Sequence, residues 1–346
     1  MEAQERETAV DISLLVCTYN RCQDLHELLE TALAQETGGE FSYEIVVVDN
    51  NSTDRTRATV EDFIDAGHNK VRYFFEARQG KSYALNTALE VAKGWAYVIT
   101  DDDFILPSNW LRDIYHAFRT HPEVAVISGK VLPRWQGEAP AWLTRDHWSA
   151  IAMADYGEKP FYADDDNPIC LLAGAFRRSA VQDAGGYRPE LGVSADQIGG
   201  IEDLDILQRL WKAGYKALYQ PHIAFEHKVG ATRLTKTYHR RWHTGHGRFY
   251  AAMRDERMED SIGYLLGVPA HLYRQATRDA LGLLKCTVFR REAQAFVHET
   301  RLCFFRGFFS KRREDYLRDK SHSFLGDLWA FAKTLAQSRK GAKKAF

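Results

Sequence analysis

Residues 95–111 read WAYVITDDDFILPSNWL, and the fold turns on how that stretch is taken. Trp95–Thr100 is a short apolar run rich in β-branched and aromatic residues, the composition of a buried strand. It runs straight into Asp101, Asp102 and Asp103. If the extended backbone persists through them, side chains at i and i+2 share a face, so Asp101 and Asp103 point one way and Asp102 the other. Two aligned carboxylates at the carboxyl end of a buried strand suit a hard divalent cation with positions left open for phosphate oxygens. A solvated acidic turn ahead of a helix starting near Ser108 is the competing reading, and the rest of the chain decides between them.

Upstream, Ile12–Cys17 is a buried-type strand followed by a turn at Thr18-Tyr19-Asn20-Arg21. Leu25, Leu28, Leu29, Ala32 and Leu33 then recur with helical spacing. Tyr43–Val48 is a second strand ending at Asp49, and Asp54 suits the cap of the next helix. Val71–Phe75 is a third strand, Gly80 opens a helix that Gly94 closes, and Val124–Gly129 follows as a fifth strand. This alternation with near-continuous apolar strands predicts an α/β fold: a Rossmann-like, mostly parallel sheet flanked by helices. Ligands of such sheets sit outside the carboxyl ends of the strands. Thr18–Asn20, Asp49, Arg78–Lys81 and Asp101–Asp103 all fall at those ends.

Downstream, Pro133, Pro140, Pro160 and Pro168 break regularity, and residues 133–170 are expected to be a long irregular region that shapes a binding site. Asp164-Asp165-Asp166 reads as a solvated loop, because no strand delivers it to a cleft. Order is expected to return at Leu171–Phe176. Asp203 begins a helix with Leu204, Leu207, Leu210 and Trp211 inward; Glu202-Asp203 is either a helix cap or a reactive pair. One or two short strands over Lys216–Phe225 end at Glu226-His227. Helices are expected over Tyr238–Met253, Ser261–Lys285, Ala293–Phe308 and Asp315–Ala336, with Pro269 a candidate break. The run FRGFFSKRR at 305–313 suggests an amphipathic helix with a basic face.

The 346 residues, 45% hydrophobic and 27% charged, are ordinary for a globular protein. No apolar run is long enough to cross a bilayer and the first residues are polar, so a cytoplasmic location, at most peripheral to a membrane, is expected. Five cysteines with no CxxC pair support neither zinc nor a disulfide framework. Residues 228–346 hold 25 Lys and Arg against 11 Asp and Glu, leaving 21 against 36 in residues 1–227 from totals of 46 and 47. The acidic body and basic tail imply different partners. No nucleic-acid recognition signature accompanies the basic part, so nucleic acid is not an expected partner.

Five stretches together resemble the family 2 glycosyltransferases, enzymes of the GT-A fold: ISLLVCTYNR at 12–21, VVVDNNSTD at 46–54, ARQGKSYALNTAL at 77–89, ITDDDFILPSNWL at 99–111 and GGIEDLDILQRLWKAGY at 199–215. The resemblance covers about residues 11–227. It implies a catalytic domain over 1–230, with 231–346 as a basic helical extension. It implies an inverting transfer of a sugar from a nucleoside-diphosphate sugar, a UDP-sugar favoured, to an acceptor hydroxyl. That acceptor is expected in polysaccharide or glycolipid assembly; a lipid-linked acceptor would be reached by peripheral contact of the basic helices, which lie outside the resemblance, with an anionic membrane. Residue by residue, it puts Thr18, Tyr19 and Asp49 at the base, and Arg78 and Lys81 near the nucleotide, although Lys81 reads equally as surface charge. Asp101 and Asp102 belong to the DxD region beside the ribose. Asp103, with Asp101, would hold Mg²⁺ or Mn²⁺; His227 is either a further metal ligand or a structural histidine. Asp203 would be the general base, with Glu202 beside it. A nucleotidyltransferase is the rival enzyme, but TYNRCQD lacks the basic glycine-rich loop it needs; an inactive membrane-surface scaffold is the rival without chemistry.

Overall fold

The computed structural model of the protein describes residues 10–164, 167–169, 174–194, 197–261 and 263–319. It divides into two compact units, one of residues 1–138, 151–196 and 202–231, the other of 139–150, 197–201 and 232–346.

The first unit is built on one sheet. Strands β1 (Ile12–Thr18), β2 (Tyr43–Asp49), β3 (Val71–Phe75) and β4 (Ala96–Asp101) lie parallel in the order β3-β2-β1-β4. β2 is buried along its whole length, which explains its unbroken apolar sequence: a strand covered on both faces has no solvent side to make polar. Helices α1 (Cys22–Leu33), α2 (Thr56–Asp65), α3 (Lys81–Val91) and α4 (Trp110–Thr120) form the crossovers and the next connection. α4 buries Trp110, Leu111, Ile114, Ala117 and Phe118, one stripe at helical spacing. Burying a side chain of that kind contributes about 1.5–3 kcal/mol.

Beyond β4 the sheet changes direction. β8 (Gly174–Arg177) runs antiparallel between β4 and β6 (Val124–Trp135), and β9 (Lys216–Val229) pairs parallel with β6. The two-residue β5 (Phe104–Ile105) and the short β7 (Phe161–Ala163) both pair antiparallel with β9. The sheet is therefore mostly parallel on one side and mixed on the other. Helices α5 (Arg178–Ala184) and α6 (Glu202–Lys212) complete this unit.

Two sequence expectations fail here for physical reasons. β6 does not stop at Gly129 but continues through Pro133 to Trp135, in register with β9. Its pairing with β8 ends at Ser128, so the later part has a side where a missing N–H is tolerated. Likewise β9 is a single strand of 14 residues, longer than the one or two short strands expected, and it carries His227 past β6 to β5. Residues 165–166, the first part of the strand expected over 171–176, and the chain after 319 lie outside the described residues.

The second unit is helical. α7 (Lys236–Met253), α8 (Glu256–Glu259), the hairpin β10 (Tyr264–Leu265) and β11 (Val268–Pro269), α9 (Ala270–Val288) and α10 (Glu292–Arg318) follow in order. The expected helix over 261–285 thus begins only after Pro269, whose preceding residues pair as a hairpin. α10 is continuous where two helices were expected. α7 and α10 meet backbone to backbone through Gly247 and Gly307: a Cβ at Gly247 would sit 2.0 Å from the Phe304 carbonyl oxygen, and one at Gly307 1.9 Å from that of Thr244. Phe305 and Phe308 pack with Ala251, Val268 and Leu272, so the apolar residues of 305–313 are core and not a membrane face. Among the described residues no helix is long and apolar enough to cross a membrane.

An aromatic nest closes the same unit. His147 and His239 are fully buried, with His147 stacked on Phe296 and His239 edge-on to Trp142. His246 stacks on Trp242, and its Nδ1 lies 2.9 Å from the Gly199 carbonyl oxygen, so that nitrogen carries the proton and donates. Burial, with repulsion from neighbouring imidazoles, pushes His239 down to about 4 and His243 to about 3; burial pushes His246 to about 4 against its hydrogen bonds. The unfolded chain takes up these protons near 6.5, before the folded one does. The neutral histidines therefore favour the folded state fully above pH 6.5, and that contribution is lost as pH falls through about 4. Melting followed by circular dichroism should show Tm dropping across that window. A His239→Gln/His243→Gln variant should show a shallower fall; an identical slope would disprove the assignment.

Candidate active site

The register of the parallel strands fixes where the chemistry lies. Cys17 pairs with Asp101 and Thr18 with Asp49, so β1, β2 and β4 end level with one another at one edge. The loops leaving that edge carry nearly every polar residue that the sequence singles out.

The acidic run does not alternate as an extended strand would. β4 stops at Asp101, and Asp102-Asp103 form a turn before β5. Asp102 and Asp103 consequently share a partner, while Asp101 goes elsewhere. Arg21 Nη1 lies 3.1 Å from Asp102 Oδ1 and 2.7 Å from Asp103 Oδ2, and the Thr18 hydroxyl donates to Asp102 Oδ2 at 2.8 Å. Asp101 instead pairs with Lys81 Nζ at 3.0 Å. Burial, with the neighbouring Asp103, lifts Asp102 to about 7 against the pull of Arg21. Arg21 is the functional candidate that sequence reading missed. The available signal was charge: a cation in the loop after β1 faces three carboxylates at the end of the adjacent strand.

His227 reaches the acidic turn because β5 pairs with the end of β9. Phe104 stands opposite His227, and the Lys228 N–H donates to the Asp103 carbonyl at 3.0 Å. The fully buried His227 thereby brings Nε2 within 3.3 Å of Asp103 Oδ2. Asp103 and His227 are an oxygen–nitrogen donor pair that suits a divalent cation whose remaining ligands are phosphate oxygens and water. Among the described residues no three His, Cys, Asp or Glu side chains converge as a metal group.

Lys81 links the acidic turn to the start of α6. Its Nζ is 3.0 Å from Asp101 Oδ1 and 3.7 Å from Glu202 Oε1. Gly80, at φ +144°, adopts a backbone that side chains disfavour, and its N–H donates to Asn50 Oδ1 at 2.8 Å. Asn50 also donates to the Arg78 carbonyl at 2.7 Å, so this one amide holds the loop that presents Lys81. Burial alone would lower the Lys81 pKa, but Asp101, Asp203 and Glu202 outweigh it and the ammonium is held well above its usual value. Burial raises Glu202, and burial with the charges of Glu202 and Asp101 raises Asp203 to about 8, in both cases against Lys81. A base poised near neutrality is what proton abstraction from an alcohol requires.

The remaining candidates occupy a nearby patch of the same edge. Asp49 is buried, with Oδ1 accepting from the Ser52 N–H at 2.8 Å and Oδ2 from the Tyr73 hydroxyl at 2.9 Å; each oxygen keeps a second lone pair. Tyr19 is half-buried beside Thr18. Arg78 is exposed and forks onto Glu76 at 2.9 and 2.7 Å. Asp54 accepts from the Thr56 N–H at 2.9 Å at the start of α2 and from the Cys22 N–H at 3.1 Å, and so ties two loops together.

Residues 13–183 match the sequence model of the family described as Glycosyl transferase family 2. A glucosyl-dolichyl phosphate glucuronosyltransferase of Haloferax volcanii is 23% identical over 225 residues, 63% of this chain and 69% of that protein. The succinoglycan biosynthesis protein ExoO of Rhizobium meliloti is 32% identical over 118 residues, 34% of this chain and 32% of that protein. Among solved structures, the mannosyltransferase PcManGT from Pyrobaculum calidifontis, in complex with GDP-Man and Mn²⁺, superposes with a TM-score of 0.52 at 19% identity. That alignment covers 98% of this chain and 83% of that one, a likeness of fold.

Replacing Lys81 by Met removes the one cation that holds the Asp203 pKa down. In a carboxyl-resolved NMR titration, Asp203 should move upward from about 8 by roughly 1 unit or more, while Lys81→Arg should stay near the wild-type value. An unshifted Asp203 in Lys81→Met would show that the two do not share a site.

Proposed function

Given that the chain belongs to the family 2 glycosyltransferases and has their GT-A fold, we propose that it moves a sugar, with inversion, from a nucleoside-diphosphate sugar to an acceptor hydroxyl. The observation that carries this reading is Lys81. It joins Asp101 of the acidic turn to Glu202, next to Asp203, and so puts the diphosphate-binding edge and a candidate base in one site.

In this reading the base of the nucleotide lies against Thr18, Tyr19 and Asp49, whose carboxylate accepts from a ring N–H. Uracil and guanine both carry such a ring N–H, and it is the family resemblance that favours uracil and a UDP-sugar. Arg78 and Lys81 attract the diphosphate, and Asp101 and Asp102 border the ribose. Asp103 and His227 would hold Mg²⁺ or Mn²⁺, which when bound offsets several kcal/mol of charge developing on the leaving diphosphate. Asp203 takes the proton of the acceptor hydroxyl as its oxygen attacks the anomeric carbon on the face opposite the leaving group. Glu202 keeps Lys81 beside Asp203. A direct displacement needs no protein nucleophile. The Haloferax volcanii relative is named for a glucosyl-dolichyl phosphate substrate, which supports a lipid-linked acceptor in glycan or glycolipid assembly. Residues 1–230 are the catalytic part in this proposal, and 231–346 a helical extension.

The test separates base from binding. Asp203→Asn should cut transfer by about 10²–10⁴-fold, with nucleotide binding by calorimetry nearly unchanged. Asp103→Ala should weaken nucleotide binding in Mn²⁺ far more than in chelator. Near-normal turnover by both variants would end the proposal.

A further inference from the structure

Among the described residues of the second unit, most of the exposed large apolar side chains fall in one place. Leu281, Leu284, Val288 and Phe289 are 62–67% exposed, although large apolar side chains elsewhere in this unit are mostly covered. Leu281, Leu284 and Val288 stand at i, i+3 and i+7 on the last two turns of α9, so they share one helical face. Phe289 follows immediately, in the turn that leads to α10.

Charge surrounds this ridge with one sign. Residues 274–291 include Arg274, Arg278, Lys285, Arg290 and Arg291, and the single acid among them, Asp279, is buried and paired with His298 at 2.7 Å. All five basic side chains are exposed. Several other basic residues of the helices are used in ion pairs: Lys236 pairs with Glu292, Arg240 with Glu299 and Arg248 with Glu314.

We infer that the end of α9 and the turn after it dock on an anionic lipid surface, with Leu281, Leu284, Val288 and Phe289 entering the headgroup–acyl boundary and the basic residues meeting lipid phosphates. Charge complementarity and the narrowness of the ridge argue for this occupant. A stable protein partner needs on the order of 800 Å² on each side, whereas a single apolar helix face flanked by Lys and Arg is the pattern that lies in a membrane interface. The inference does not depend on the sugar-transfer reading, since no residue of the active site takes part.

Flotation of the full-length chain with vesicles of equal parts phosphatidylcholine and phosphatidylglycerol, against phosphatidylcholine alone, tests it. The chain should float with the anionic vesicles and be released by salt. Lys285→Gln/Arg290→Gln/Arg291→Gln should weaken partitioning on the order of 100-fold, at about fivefold per cation. Leu284→Asp/Val288→Asp should weaken it about tenfold or more, and both variants should melt as wild type and keep turnover of a water-soluble acceptor. Wild-type partitioning by either variant would overturn the inference, as would failure of the parent to float. A dimer in sedimentation that Leu284→Asp/Val288→Asp splits would overturn it too, by assigning the ridge to a second copy of the chain.

Discussion

The active site depends on one partly covered ammonium set among carboxylates. Asp101, Glu202 and Asp203 come from the end of β4 and the start of α6, segments a hundred residues apart in the sequence. Without a cation between them, three carboxylates in a poorly solvated place would have to take up protons or move apart, because an unpaired buried charge is the costliest group a fold can hold. Lys81 resolves this by standing within 4 Å of both Asp101 and Glu202. The same ammonium sets the chemistry. It pulls the Asp203 carboxyl toward its ionised form against burial and the charges of Glu202 and Asp101.

Arg21 does the corresponding work on the other side of the acidic turn, but under different terms. Its side chain is 40% exposed, whereas those of Asp102 and Asp103 are nearly covered. A guanidinium this exposed on a loop can be exchanged for another cation more cheaply than the better covered Lys81 ammonium, since water rehydrates it as it leaves. The two cations thus divide the site. Lys81 belongs to the permanent framework, with its loop fastened by Asn50; Arg21 faces the position where Asp103 and His227 offer donors.

The parts legible in the sequence are those that follow from periodicity alone. The four parallel strands and their helices are unbroken apolar runs joined by helical stripes, and their register then brings Thr18, Asp49 and Asp101 to one edge. What was not legible depends on a local change of backbone or on distant pairing. Asp102 and Asp103 face Arg21 because the strand gives way to a turn at Asp101, and alternation cannot foresee where extension ends. His227 arrives through a 14-residue strand that pairs with three different partners, and its sequence, with Pro221 inside it, reads as two pieces. In the helical unit, FRGFFSKRR reads as an amphipathic helix with a basic face because Arg and Lys alternate with apolar residues. Gly307 instead lets α7 approach, and the phenylalanines beside it turn into the core.

That last reversal bears on how charge counts are used. The excess of basic residues after 228 is a property of the sequence, but an excess spread over ion pairs creates no surface field. Along α7 and α10 three of the cations, Lys236, Arg240 and Arg248, are matched by Glu292, Glu299 and Glu314, and exposed pairs of this kind are worth about 0–1 kcal/mol each. They organise the helix pair and cancel one another at a distance. What distinguishes residues 274–291, with five basic residues against one acid, is that their charge flanks apolar side chains left exposed along one face of α9. The basic excess itself runs through residues 228–346, but the place where it meets an unsatisfied hydrophobic pattern is local.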